Sequence, residues 1–104
     1  MYKPGQYQYQ MGYTLPEFTR SLQGGFSAET SPWRSTRLSA LQWQIDHREA
    51  NFKIQINLQP LEPRKIALLS LPVLQVDFKP LIDDAALEKM FFQTFFQYFH
   101  KGGG

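Results

Sequence analysis

The 104-residue chain predicts an α+β domain in the order β-α-β-β-β-α, a four- or five-stranded antiparallel sheet with two helices packed on one face. Three observations carry that prediction. Residues 41–46 and 52–59 alternate apolar and polar side chains with a period of two, as strands with one buried face do. Residues near the C-terminus repeat large aromatics at helical spacing. Thr14-Leu15-Pro16-Glu17 has the spacing of a capping box, with proline early in the first turn. No linker is long enough to separate two units, so a single domain spans residues 1–104.

Taken in order, Gln6 to Tyr13 sets Tyr7, Tyr9, Met11 and Tyr13 on one side of a strand and glutamines on the other, after a start marked by Pro4 and Gly5. The helix that follows carries Leu15, Phe18 and Leu22 on one face and is expected to stop at Gly24-Gly25. Phe26 to Thr36, rich in Ser, Thr and Pro, reads as a loop. Leu41, Trp43 and Ile45, then Phe52, Ile54, Ile56 and Leu58, form the inward faces of a hairpin turning through His47-Arg48-Glu49-Ala50. Pro60 and Pro63 bracket a predicted turn. Arg64 to Leu69, with Ile66-Ala67-Leu68-Leu69, reads as a strand covered on both faces, and Arg64 to Phe78 as one strand bent near Pro72 or two short ones. Asp83-Asp84 opens the last helix at the positive end of its dipole, and His100 and Lys101 close it before Gly102.

Composition narrows the function. A 42% apolar and 19% charged chain folds, and a net charge of +2 falls well short of the basic excess of a dedicated nucleic-acid-binding domain. With no cysteine there is no disulfide, thiol nucleophile or thiolate metal site. Neither a signal-peptide core nor a membrane-length apolar run occurs, so a cytoplasmic protein without membrane contact is expected. No nucleophile elbow or phosphate loop is present, and the cluster Asp46-His47-Arg48-Glu49 reads as a solvated turn rather than a metal or acid-base site. The expectation is therefore no enzyme and no cofactor.

Six of the sixteen aromatic residues lie between Phe91 and Phe99. Such a stripe is either core or, along one flank, a docking surface, with Phe92, Phe96 and Phe99 the candidate partner-binding residues and Met90 with Thr94 the other flank. The amide-rich outer face of the sheet, Gln42, Gln44, Gln55, Asn57 and Gln75, is a second candidate. A weaker alternative is single-stranded nucleic acid or another anionic ligand held by Trp33, Arg34 and Arg37, with Arg64 and Lys65 as a further basic pair. Gly102-Gly103-Gly104 invites comparison with ubiquitin-like sulfur carriers, whose tails leave a strand. These glycines follow a helix and read as its frayed cap.

Leu71-Pro72-Val73-Leu74-Gln75-Val76, then Phe91, Phe95 and Phe99, then Lys101 to Gly104, resemble a group of short bacterial proteins of unassigned role with a Leu-Pro-x-Leu-x-Val strand, a Phe-spaced helix and a Gly-Gly-Gly end. The resemblance covers the last third of the chain and implies a bacterial, cytoplasmic source and no particular activity. The sequence thus leads to a small non-catalytic protein-interaction domain, self-associating as a homodimer through the aromatic helix or the polar sheet face.

Overall fold

A computed structural model describes residues 3–27 and 29–100. Five strands, β1 (Gln8–Met11), β2 (Trp33–Ser39), β3 (Gln42–His47), β4 (Lys53–Ile66) and β5 (Leu69–Pro80), and two helices, α1 (Leu15–Phe26) and α2 (Ala85–Tyr98), make an α+β domain. The sheet is antiparallel in the order β1-β5-β4-β3-β2. Strands β2 to β5 form a meander, and β1 joins it beside β5. Both helices lie on one face. Against expectation, α2 ends at Tyr98 with Phe99 as its C-cap, so no basic residue stands in its last turn and His100 lies beyond the cap; Lys101 and the three glycines fall outside the described residues.

Local chemistry accounts for the helix starts. At α1 the Glu17 amide donates to Thr14 Oγ1 at 3.3 Å while the Thr14 amide donates to Glu17 Oε1 at 2.9 Å, completing the capping box. At α2 the Leu87 amide donates to Asp84 Oδ1 at 3.0 Å. Contrary to expectation, α1 does not stop at Gly24-Gly25 but runs on to Phe26. Phe26 is fully buried against Trp33 and Phe91, so its packing holds the last turn that two glycines disfavour. Gly25 also has a positive reason to be glycine: a Cβ there would stand 2.6 Å from Cδ2 of Tyr98.

The core is a continuous aromatic and aliphatic layer between sheet and helices. Tyr9, Met11, Trp33, Ile45, Ile54, Ile56, Leu74, Val76 and Phe78 enter it from alternate strand positions, and Phe18, Leu22, Phe91, Phe92 and Phe95 from the helices. Phe95 stacks on Phe99 at 4.1 Å between ring centroids and meets Phe78 edge-on at 5.0 Å. Each fully buried ring contributes about 1.5–3 kcal/mol, a large share of what a domain this small can gather.

The stretch expected to be a loop, 26–36, ends in an additional strand, since Trp33 to Ser39 pairs with β3. Pairing with β3 and burial of Trp33 overcome a serine- and threonine-rich composition. A larger departure concerns 60–71. Instead of a turn at Pro60–Pro63 and a doubly covered strand, β4 runs through both prolines to Ile66, reverses at Ala67-Leu68, and returns as β5. The apolar run is thus a hairpin tip, with Leu68 wholly exposed and Leu69 64% exposed. Ala67 adopts φ 54°, the left-handed region that hairpin loops require at their first position.

Register explains how strands tolerate these prolines. The Leu58 amide donates to Leu41 of the β2–β3 turn and the Phe78 amide to Tyr7 beside β1, so alternate residues on each strand aim their nitrogens outward. Pro60 and Pro72 sit at those outward positions, past the ends of β3 and β1, where a missing N–H removes no ladder bond. Pro63 lies in a bulge, where Glu62 and Pro63 face Pro72 between the pairs Leu61–Val73 and Arg64–Leu71.

Candidate interaction surface

Helices cover one face of the sheet, and the opposite face is open. Register places its side chains in rows: Gln8, Asp77, Asn57 and Gln42; Gln10, Gln75 and Gln59; Lys79, Gln55, Gln44 and Thr36; Lys53, Asp46 and Arg34. Seven of these fourteen residues are glutamine and one is asparagine. Some amides satisfy each other: Gln42 Nε2 donates to Asn57 Oδ1 at 2.9 Å, and Gln75 Nε2 to the Asp77 carboxylate at 3.2 Å. Asp46 is the buried charged residue among those described, and Arg34 closes over it with Nη2 2.5 Å from Oδ2. The Asp46 hydrogen bond first, and its charge second, raise the Arg34 guanidinium further above its ordinary range.

Beyond the body the same face changes character. β1 accompanies β5 only over residues 74–77 and β3 accompanies β4 only over 53–57. From there Leu61–Ile66 and Leu69–Val73 pair with each other alone, a two-stranded arm roughly 15–20 Å long at the usual rise per residue. It accounts for the elongation of the molecule, 48 × 27 × 22 Å. Paired residues share a face, so Leu61–Val73, Arg64–Leu71 and Ile66–Leu69 all lie on the open side. The bulge at Glu62-Pro63 makes this possible: it shifts the parity of β4, bringing Ile66 to the face of Leu61. The result is an apolar strip with Ile66 52%, Leu69 64% and Leu71 43% exposed, ending at Leu68.

The residues singled out in the sequence have other placements. Phe92 is fully buried and Phe99 3% exposed, so these two belong to the chain's own core and are corrected as partner-binding residues. Tyr9 and Phe78 from the sheet, Phe18 from α1 and Tyr13 from the β1–α1 connection suffice to bury Phe92 and Phe99. Phe96 is half-buried against Tyr9, and with Met90 and Thr94 it borders a shallow depression on α2. The nucleic-acid trio does not converge. Trp33 is 1% exposed in the core, Arg34 lies on the opposite face paired with Asp46, and Arg37 sits over the Trp43 ring at 5.4 Å. At the β3–β4 turn, His47 Nδ1 accepts from the Glu49 and Ala50 amides, which commits it to the turn. Among the described residues no three His, Asp or Glu side chains are grouped to hold a metal ion, and no helix is long and apolar enough to cross a membrane.

The arm is hidden in the sequence because its signal is a bulge and a pair of outward prolines, whereas Ile66-Ala67-Leu68-Leu69 alone reads as a covered strand. Comparison with known proteins returns no matching family model and no matching curated protein.

Proposed function

We propose that this chain is a non-catalytic protein-interaction domain whose working surface is the open sheet face, with the apolar arm as its anchor. The observation that carries the reading is the strip Leu61, Ile66, Leu69, Leu71 and Val73, held on one face of a projecting ribbon by a bulge. Exposed aliphatic area gathered on one projecting element and bordered by the amides of the body, with Arg64 as the single charge among it, has the make-up of a protein interface: apolar centre, polar border. Pro60 and Pro72 each remove one donor that a strand adding to an edge of the arm would meet, which disfavours sheet extension and favours binding by the face and its side chains.

The test is affinity capture with the tagged full chain, its own untagged copy included among the possible prey, after nuclease treatment. The native chain retains a protein that Leu69→Glu with Leu71→Glu does not. Equal retention by both, or capture that vanishes with nuclease alone, rejects the reading.

A further inference from the structure

We infer that the occupant of the arm is the arm of a second copy of this chain, the two apolar strips packing face to face about a twofold axis. The inference rests on the interaction-domain reading and names its partner.

A two-stranded ribbon is marginal in water by itself and is stabilised when a third layer covers its apolar face. Here the ribbon projects from the sheet, its exposed apolar residues lie chiefly on one face, and nothing in the described chain covers them. Cover would stabilise the arm in every folded chain, and a second copy is a partner always present in equal number. The area sets a requirement. The exposed parts of Ile66, Leu68, Leu69 and Leu71 amount to roughly 500 Å² per arm, so two arms reach about 1,000 Å², the lower bound of a specific interface, only when the strips and the tip residue Leu68 are covered together. An isologous pair requires a self-complementary patch, and an aliphatic strip meets that condition where a one-sign charged patch would not. Arg64 is the charge within the strip; its flexible stem lets the guanidinium reach the rim, where Glu62 of the same arm supplies the opposite sign.

Sedimentation of the full chain across micromolar concentrations tests this. The native chain is expected to run at twice 12.1 kDa. Leu69→Glu with Leu71→Glu should weaken association at least about tenfold, with the far-ultraviolet circular dichroism unchanged. Because the chain has no cysteine, single nitroxide labels can be placed cleanly. A label at Arg64→Cys should show dipolar coupling between copies, stronger than one at Gln23→Cys on α1.

A native chain that stays monomeric, or a dimer indifferent to the double substitution, overturns the inference. If a monomeric chain still loses a different protein on the same substitution, the interaction-domain reading stands and only the second copy falls. If capture is also unchanged, both fall. A monomer that co-sediments with anionic phospholipid vesicles through the same leucines would replace the second copy with a lipid surface.

Discussion

Arg34 reaches from the edge strand β2 to Asp46 on β3 and places two nitrogens on a single carboxylate oxygen, Nε at 3.1 Å and Nη2 at 2.5 Å from Oδ2. The carboxylate is buried while the guanidinium is mostly open to solvent, so the pair serves chiefly to satisfy Asp46. Arg34→Gln should lower the melting temperature, more at low than at high ionic strength, and Asp46→Asn in the same chain should recover part of the loss. Thermal unfolding of the native chain, each single variant and the double variant in two salt concentrations checks the cycle.

Adjacent glycines of α1 should respond with opposite sign. A methyl group at Gly24 would meet nothing within 4 Å, so Gly24→Ala gains about 0.5–1 kcal/mol of helix stability. Gly25→Ala pushes against the Tyr98 ring and costs about 1–3 kcal/mol unless that half-exposed ring swings away. Pairing Gly25→Ala with Tyr98→Ala should remove most of the cost, as read by urea unfolding.

Ala67 holds a left-handed backbone at the arm tip without the freedom of glycine. Ala67→Gly is expected to relieve about 1 kcal/mol of local strain. Amide hydrogen exchange on residues 64–71 should slow, while exchange in the body stays unchanged.

Two phenylalanines one helical turn apart divide core from surface. Phe92→Ala should cost about 3–5 kcal/mol and Phe96→Ala less than half of that, because only the first is fully buried. Chemical denaturation measures both.

The sheet and helices were legible where one signal dominated. Alternation located β3 and the first half of β4, and Thr14-Glu17 and Asp84 located both helix starts. What escaped depended on relations between distant residues. β2 forms because Trp33 reaches Phe52 and Phe91, which no local pattern displays. The helix passes through Gly24 and Gly25 because Phe26 is buried beyond them. Pro60 and Pro72 read as strand breakers, yet each stands where its neighbouring strand has already ended, a fact of register alone. The candidate surface was half legible: the amide face follows from alternation, whereas the apolar strip depends on the parity shift at Glu62-Pro63.

The place of β1 in the sheet leads to an expected order of events during folding. Strands β2 to β5 can assemble from neighbouring hairpins, whose closing loops are short and lose little chain entropy. β1 must instead find residues 74–77 across most of the chain, a non-local closure that forms slowly. The N-terminal strand is thus expected to be the last piece of the sheet recruited, after the meander has offered it an edge. Substitutions in β1 should accelerate unfolding and leave the refolding rate nearly unchanged, while those in the β3–β4 hairpin should slow refolding.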